Sequence, residues 1–427
     1  MNKYAQMNRE ELEQELASLT KQYEDAKSLM LKLDMSRGKP TPAQLDLSMD
    51  MLDVLDANSV LKSESGIDCR NYGELTGIPE AKKLMADMMG VSPENVIIYG
   101  NASLNIMYDT ISRSMTHGVC GSTPWCKLDK VKFLCPAPGY DRHFAITQFF
   151  GIEMITVPMS ENGPDMDMVE ELVAKDDSIK GIWCVPKYSN PQGYTYSDET
   201  VKRFANLKPA ASDFRIFWDN AYVIHDLYED KSADLLEILS ECKKAGNPDM
   251  VYEFCSTSKI TFAGGGIAAM ATSAANLEFI KKQMTIQTIG YDKVNQLRHV
   301  KYFKDVNGIK AHMMKHAAIM RPKFEAVLKV LDDELSELGI ATWTRPIGGY
   351  FISFESMDNC AKAIVAKCKE AGVVMTGAGA TFPYGKDPKD SNIRIAPSFP
   401  TASEMEQAAK LFTLCVKLVS VEKMLEM

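Results

Sequence analysis

Seven short apolar segments, separated by helical or loop segments, constrain the fold of this chain more than any other feature. In chain order they are "NVIIYG", "VKFLCP", "EMITVP", "GIWCVP", "RIFWD", "MVYEFCS" and "GIAAMAT". Strands that are apolar on both faces and alternate with helices indicate a mostly parallel sheet that is covered on both sides. We therefore predict an α/β fold with a mostly parallel seven-stranded sheet. Ligands of such sheets bind at the carboxyl ends of the strands, so the residues that close each strand are candidates for function.

The pattern changes after about residue 300, where a long helical stretch leads into the strand "GGYFISFE", a helix and the strand "NIRIAP". A chain of 427 residues is longer than one hydrophobic core usually holds, so two domains are predicted. We place an N-terminal helix and arm at 1–60 and let it contribute to the small domain. The large domain is placed at 61–305, and the small α+β domain at 306–427.

Two capping-box patterns predict where the first and last long helices begin. Asn8 with Glu11 precedes the first helical segment, and Thr401 with Glu404 precedes the last. In this motif the side chains of both residues bond backbone N–H groups that the helix leaves unpaired.

Composition narrows the class of protein. The net charge of −9 carries no block of like charges, which argues against nucleic acid or an acidic membrane as a partner. Neither a signal-peptide core nor a stretch of about 18 apolar residues occurs, so a cytoplasmic protein outside the membrane is predicted. The ten cysteines contain no C-x-x-C pair and lie mostly in apolar runs, as reduced core residues do. No metal site is predicted.

Polar and aromatic residues follow the first strands of the predicted sheet. Ala102 and Ser103 open a helix after "VIIYG", where free N–H groups bind anions, although an ordinary N-cap explains them equally well. Tyr140 and His143 follow "VKFLCP", and the tyrosine either lies on a planar ligand or is a half-buried loop residue. Asn190 follows "GIWCVP" and offers an amide, or simply forms a turn.

The next two strands end in an acid and an amine. Asp219 ends the apolar strand "RIFWD". Burying its carboxylate there is costly without a cationic partner, so Asp219 either faces such a partner or is an ordinary helix N-cap. Tyr222 lies about one helical turn later. Ser256 and Ser258 can bind an anion, and Lys259 follows them. A desolvated lysine has a lowered pKa and attacks carbonyls. Together these strand ends supply the groups that hold pyridoxal phosphate.

The ordered set of motifs carries a family resemblance that extends from residues 33–40 to residues 392–400. The motifs are "LDMSRGKP", "RNYGELTG", "PGYDRH", "SNPQG", "DNAY", "STSK", "GGYF" and "NIRIAP". The chain resembles fold-type I pyridoxal-phosphate (PLP) enzymes of the aspartate aminotransferase superfamily. It is most similar to the class Ic, or MocR-type, branch of aspartate aminotransferase-like proteins.

The resemblance implies roles for the residues around the cofactor ring. Lys259 is the implied Schiff-base lysine, and Asp219 pairs with the protonated pyridine nitrogen. Tyr222 and Asn190 bond the phenolic oxygen of the cofactor. Tyr140 stacks on the ring, and His143 supports Asp219 from behind.

It also implies the groups that bind phosphate and substrate. The phosphate is cradled by Ala102, Ser103, Ser256 and Ser258. Tyr72 reaches the phosphate of the neighbouring subunit, which implies a homodimer with shared active sites. Arg394 binds the substrate α-carboxylate with help from Gly38 and Asn190. The arginine that follows the lysine in better-known aminotransferases is missing, and the N–H groups of the glycines at 264–266 are the expected replacement.

The implied function is ping-pong transfer of an amino group from aspartate or another acidic amino acid to a 2-oxo acid such as 2-oxoglutarate. Candidates for binding the distal carboxylate are Arg37, Arg70, Arg298 and Arg345. The alternatives are another PLP reaction on the same fold, such as decarboxylation or β-elimination, and a non-enzymatic PLP-binding regulator. A regulator is disfavoured because one acidic helix and no basic patch precede the PLP motifs. A nicotinamide enzyme is disfavoured because "GAGATF" lacks the full glycine fingerprint.

Overall fold

The computed structural model describes residues 3–427, and within that range it contains thirteen β-strands and thirteen α-helices. The first two residues of the predicted N-terminal arm lie outside the described residues. The strands are β1 (Leu33–Asp34), β2 (Val96–Ile98), β3 (Lys132–Ala137), β4 (Glu153–Ser160), β5 (Gly163–Pro164), β6 (Ile179–Cys184), β7 (Arg215–Asp219), β8 (Val251–Ser256), β9 (Ala268–Ala271), β10 (Ala341–Trp343), β11 (Ile352–Ser356), β12 (Val373–Val374) and β13 (Asn392–Ile395). The helices are α1 (Arg9–Ser28), α2 (Pro42–Asp46), α3 (Pro79–Met89), α4 (Ser103–His117), α5 (Asp141–Phe149), α6 (Met166–Lys175), α7 (Asp198–Ala205), α8 (Ile238–Lys244), α9 (Ala274–Gln287), α10 (Lys293–Phe303), α11 (Val306–Leu335), α12 (Ala361–Glu370) and α13 (Ala402–Glu426).

Eight strands form the central sheet, in the order β2-β9-β8-β7-β6-β3-β4-β5. The five strands β4, β3, β6, β7 and β8 run parallel to one another. Strands β9 and β2 at one edge, and β5 at the other, are antiparallel to their neighbours. All seven predicted strands are present, and the mostly parallel sheet is confirmed. The eighth strand, β5, is the dipeptide Gly163–Pro164, which is too short to leave a hydrophobic pattern.

Side chains from the two faces of the central sheet fill two separate cores. On one face Phe217 of β7 packs with Phe133 and Trp183, and on the other face Trp218 packs with its own set of apolar residues. Every residue of β6, β7 and β8 is buried. Helices cover both faces, which explains why these strands are apolar throughout instead of alternating with polar residues.

The two ends of the chain build a second, smaller unit. Strands β10, β11 and β13 form an antiparallel sheet, and β1 pairs in parallel with β12. Helices α1, α11 and α13 contribute to the same hydrophobic core as this sheet. The N-terminal helix therefore packs with the C-terminal part of the chain. The boundaries at 60/61 and 305/306 stay a prediction.

Helix α11 connects the two units. Ile309 and Met313 near its start pack in a core with α3 and β2, while Phe324 and Leu331 further along pack in the core of the smaller unit. Both predicted capping boxes are confirmed, at the starts of α1 and α13. In the described range, residues 3–427, the helices are all too short or too polar to span a lipid bilayer.

Candidate active site

The candidate site lies where the parallel strands end, and Lys259, in the loop after β8, is its central residue. Its Nζ donates a hydrogen bond to Tyr222 Oη at 3.0 Å. The amine also lies 4.3 Å from the centre of the Tyr222 ring and 5.4 Å from that of Tyr350. Burial, with a smaller contribution from the Arg394 charge, lowers the pKa of Lys259. A larger fraction of the amine is therefore unprotonated and nucleophilic near neutral pH.

Asp219, at the end of β7, is a buried carboxylate with one oxygen occupied and one available. His143 Nε2 lies 2.9 Å from Asp219 Oδ2 and donates to it, because an ionised carboxylate only accepts. The imidazole stacks on the Trp183 ring, with centroids 4.4 Å apart and planes 9° apart. Asp219 Oδ1 is buried and has no hydrogen-bond partner among residues 3–427. The free oxygen can accept a hydrogen bond from a cationic group in the cleft.

Tyr140 and Asn190 line the same cleft from the loops after β3 and β6. The Tyr140 ring meets the His143 ring edge-on, with centroids 4.9 Å apart. Burial raises the pKa of Tyr140 to about 12, so this phenol stays neutral at physiological pH. Asn190 precedes a cis peptide bond to Pro191, and its Oδ1 accepts a hydrogen bond from Arg394 Nη1 at 3.3 Å.

The residues predicted to cradle a phosphate come together at the start of α4. Ala102 is the N-cap of α4, Ser103 is its first residue, and no side chain caps this helix start. Ser256 Oγ donates to Ser258 Oγ at 3.1 Å, and Ser258 Oγ donates to the carbonyl of Asn101 at 3.0 Å. The serine loop is thereby held against uncapped N–H groups, which is a favourable place for an anion.

The glycines at 264–266 form a loop that follows Lys259, in the part of the sequence where the phosphate-pairing arginine of better-known aminotransferases is missing. Asn295 of α10 donates to the carbonyls of Gly265 and Gly266, at 2.9 and 3.0 Å. A Cβ atom at Gly266 would lie 2.8 Å from Thr257 Oγ1, so only glycine allows this close approach. The Gly265 N–H donates to the Phe262 carbonyl at 3.0 Å, so the N–H groups of Gly264 and Gly266 are the loop donors that we expect to be available to an anion.

Arg394, on β13, is buried and already has an acidic partner. Its Nη1 donates to Asp141 Oδ1 at 2.9 Å, and its Nη2 lies 3.4 Å from Thr376 Oγ1. The guanidinium carbon stacks 4.8 Å from the centre of the Phe351 ring. Gly38 faces the other part of this ring, because a Cβ atom there would lie 2.3 Å from Phe351 Cζ. Gly38 and Arg394 thus both lie against the Phe351 ring, and their shared role in binding a substrate stays a prediction.

Three contacts of the site were not predicted. The sequence motifs contained Tyr350 in "GGYF" and Asp141 in "PGYDRH", but neither residue was given a role. Trp183, the residue on which His143 stacks, lies in "GIWCVP" and was given no role beyond its place in that strand. The position of Tyr350 directly after two glycines was the available signal for a residue close to the cleft.

Other predicted residues are not gathered at this cleft within one chain. The Tyr72 side chain is 80% exposed. Exposed Arg70 pairs with Asp68, and exposed Arg345 pairs with Asp332.

Arg37 and Arg298 complete the set of four candidate arginines. Exposed Arg37 lies 3.8 Å from Asp34. Arg298 differs, because its Nε is buried without a partner in the described part of the chain. It lies three residues after Asn295, on the same face of α10 as the contact with the glycine loop.

Comparison with known proteins relates the whole chain to one family. The model of the family described as "Aspartate amino-transferase" matches residues 7–427. An aspartate aminotransferase of Corynebacterium glutamicum is 46% identical over 405 residues, which are 95% of this chain and 93% of the relative.

Solved structures agree in fold. The crystal structure of an aspartate transaminase from Corynebacterium glutamicum matches with a TM-score of 0.95 and 44% identity, and the match covers 98% of each chain. LysN, an alpha-aminoadipate aminotransferase from Thermus thermophilus solved with N-(5'-phosphopyridoxyl)-L-leucine, matches with a TM-score of 0.70 and 20% identity. That match covers 92% of this chain and 93% of LysN, and it shows a common fold only.

Proposed function

We propose that this chain, which belongs to the aspartate amino-transferase family, moves an amino group from aspartate or another acidic amino acid to a 2-oxo acid such as 2-oxoglutarate. Membership follows from the family match over residues 7–427 and from the 46% identical relative. The chain is therefore an aminotransferase with a fold-type I architecture. An acidic donor is supported by the name of that relative, an aspartate aminotransferase. Assignment to the class Ic branch stays a prediction.

One observation carries the proposal. A lysine amine with a lowered pKa lies 3.0 Å from a phenol oxygen, in a cleft that also holds a buried carboxylate with one unpartnered oxygen. PLP fits this set, because its aldehyde condenses with an amine and its protonated ring nitrogen donates to a carboxylate. We infer that PLP is the cofactor. The residues that would hold it are Lys259, Asp219, Tyr222, Asn190, Tyr140, Ala102, Ser103, Ser256 and Ser258.

When it is bound, PLP supplies an electron sink for the bond that is broken at the substrate Cα. The chain supplies the acid–base groups. Lys259 Nζ, once free, carries the Cα proton, and general-base action of this kind contributes roughly 10²–10⁴-fold to the rate. Tyr222 Oη orients that amine by accepting its hydrogen bond. His143 and Trp183 fix Asp219, so its free oxygen keeps one direction.

Arg394 is proposed to bind the substrate α-carboxylate. A guanidinium fork matches a carboxylate in shape, and each charged hydrogen bond contributes about 1.5–3 kcal/mol. Keeping this carboxylate bound favours transfer over decarboxylation, because the carboxylate is held while the Cα proton is removed. Asn190 and the Gly38 backbone are proposed to assist Arg394.

Arg298 is the arginine that we propose for the remaining negative charge. It is the candidate whose buried Nε is unpartnered within residues 3–427, and its helix contacts the glycine loop. It would pair either with the distal carboxylate of an acidic substrate or with the phosphate that lacks its usual arginine.

A homodimer and a cytoplasmic location complete the proposal. The exposed Tyr72 ring supports a dimer, since an aromatic side chain that is 80% exposed is available to a neighbouring subunit. A reducing compartment is supported by the cysteines, of which eight of ten are buried and all are free.

The alternatives of another PLP reaction and of a regulator without activity gain no support from the family.

Product analysis tests the donor proposal. Amino acids are supplied one at a time with 2-oxoglutarate, and Lys259→Ala serves as the inactive control. We expect aspartate to give stoichiometric oxaloacetate and glutamate at a higher kcat/KM than neutral donors. Release of carbon dioxide or ammonia from aspartate, or a preference for a neutral donor, would contradict the proposal.

A further inference from the structure

A second cavity, of about 620 Å³, lies on the other side of the central sheet from the candidate site. Trp218 of β7 and Glu253 of β8 are register partners, and both line this cavity. Asp219 is paired with Phe254, one residue further along, and neighbouring residues of a strand face opposite sides of the sheet. The cavity is therefore separate from the cleft that holds Lys259.

Two buried oxygen atoms at this cavity lack partners. Asn220 and Glu253 are 3% and 2% exposed, and Asn220 Nδ2 donates to Glu253 Oε1 at 2.8 Å. Asn220 Oδ1 and Glu253 Oε2 have no hydrogen-bond partner in the described chain. Asn220 Oδ1 is an acceptor, Glu253 Oε2 is an acceptor when the carboxyl group is ionised, and the two side chains bond each other. A ligand that satisfies them must present N–H or O–H donors.

The charge around the cavity is mainly acidic. Its lining includes the acids Asp87, Asp226, Asp234, Glu237 and Glu253, and the bases Lys187 and Lys310. Two of the acids have a lysine partner, since Asp87 pairs with Lys83 and Asp226 lies 3.5 Å from Lys187. The surplus of carboxylates favours a cation over an anion.

The rest of the lining is apolar. Met88 and Met89 at the end of α3 face the cavity, as do Met313 and Met314 of α11 and the ring of Trp218. Flexible methionine side chains and an indole ring can accommodate an aliphatic or aromatic group of variable shape. The volume is within the range typical of small-molecule sites, about 300–1,000 Å³.

We propose that this cavity is a second ligand site, which takes an organic cation with an ammonium or amidinium group on an apolar body. The N–H groups of the cation donate to Asn220 Oδ1 and Glu253 Oε2, and its apolar part packs against the methionines and Trp218. The site does not depend on amino transfer, so its test does not measure activity.

Calorimetric titration of the holoenzyme with benzamidine tests the site. Benzamidine is a planar cation on an apolar ring, and it does not condense with an aldehyde as a primary amine does. The variant is Glu253→Gln, which keeps the shape and the bond from Asn220 but removes the charge. The matched control is Glu355→Gln, because Glu355 also accepts a bond from an asparagine, Asn392, and does not line the cavity.

At a pH above the pKa of Glu253, we expect wild type and Glu355→Gln to bind benzamidine equally, and Glu253→Gln to bind it at least tenfold more weakly. Neutral benzamide should not bind. A soaked crystal should show the amidinium between Asn220 and Glu253. No binding by wild type, equal binding by Glu253→Gln, density in the Lys259 cleft instead, or a partner subunit's chain filling the cavity would each overturn the proposal.

The pH dependence of binding is a second measurement, independent of the variant's folding. Burial and the nearby Glu237 charge raise the pKa of Glu253 to about 8. A cation binds the ionised carboxylate, so affinity should rise about tenfold per pH unit below that pKa and level off above it. A flat profile between pH values of about 6 and 9 would contradict a role for this carboxylate.

Discussion

Asp219 keeps one carboxylate oxygen free because His143 occupies the other and Trp183 holds the imidazole flat. The Lys259 amine also depends on its neighbours. The rings of Tyr222 and Tyr350 surround it with aromatic carbon but offer it few hydrogen bonds, so the charged form of the amine is poorly stabilised. Burial lowers the pKa of an amine because the charged form loses its contact with water. The reactive atoms therefore depend on neighbours that never need to touch a substrate.

Lys259→Ala is expected to remove covalent cofactor attachment. The wild-type protein reconstituted with PLP should show visible absorbance, and borohydride reduction should fix the cofactor on the peptide that contains Lys259. Spectroscopy and peptide mass mapping of both proteins check this. A coloured, reducible Lys259→Ala protein would assign the attachment to another amine.

Lys323→Ala is the matched control for that experiment. Lys323 is also buried, burial also lowers its pKa, and its amine donates to the Ser398 carbonyl, not to Tyr222. We expect Lys323→Ala to bind PLP with wild-type absorbance. Loss of colour in both variants would mean that general damage to the fold, and not a missing nucleophile, explains the result.

Motifs located the reactive residues better than their partners. Lys259 and Asp219 stand in short patterns whose chemistry is recognisable from residue type and position. Asp141 was not assigned to Arg394 because 253 residues separate them and an aspartate at a helix start is common. Pairings across such a separation depend on how two sheets are arranged, and local sequence does not encode that arrangement.

At the scale of elements, strand β6 requires glycine where it meets β3. Phe133 of β3 is the register partner of Gly181, and a Cβ atom at 181 would lie 2.4 Å from Phe133 Cζ. The phenylalanine is fully buried and packs against Trp125, Trp183 and Phe217, so it cannot move aside. Close packing of large rings on one face thus fixes the residue type on the neighbouring strand.

Gly181→Ala is expected to destabilise the protein by about 1–3 kcal/mol, because an added methyl group overpacks a filled core. A lower urea midpoint, with the unfolding slope unchanged, would show this. Gly377→Ala is the control, because a Cβ atom there meets nothing within 4 Å. Equal midpoints for the two variants would contradict the packing argument.

The strands were predictable as elements because they are buried on both faces. The sequence marked the seven longer strands of the central sheet, and the structure moves their ends by only a few residues. Strand β5 was missed because a Gly-Pro dipeptide has no hydrophobic period. The path of α11 between two cores was also not predictable, because an apolar stripe shows that a helix packs but not against which element.

At the scale of the whole molecule, we predict from the exposed Tyr72 ring that each active site is shared between two subunits. The prediction requires each site to combine Lys259 of one subunit with Tyr72 of the other. Neither Tyr72→Ala nor Lys259→Ala homodimers then contain a complete site. A heterodimer of the two variants contains one complete site and one site that lacks both residues.

Purified heterodimers, carrying a different affinity tag on each variant, should therefore recover about half of the wild-type activity. Both homodimers, isolated in the same way, should stay well below that level. Mixed Asn58→Ala and Lys259→Ala heterodimers control for tagging, since Asn58 is an exposed turn residue. Recovery no greater than the average of the two homodimers would contradict a shared site.

The Arg394–Asp141 ion pair has a consequence for how a substrate arrives. The Arg394 guanidinium already has an anionic partner within the chain, because its Nη1 lies 2.9 Å from Asp141 Oδ1. In the proposed role of Arg394, a substrate carboxylate takes the place of Asp141, so uptake is predicted to be an exchange of one anion for another. Such an exchange discriminates strongly against neutral substrate analogues, because they would displace Asp141 without replacing its ion pair with Arg394.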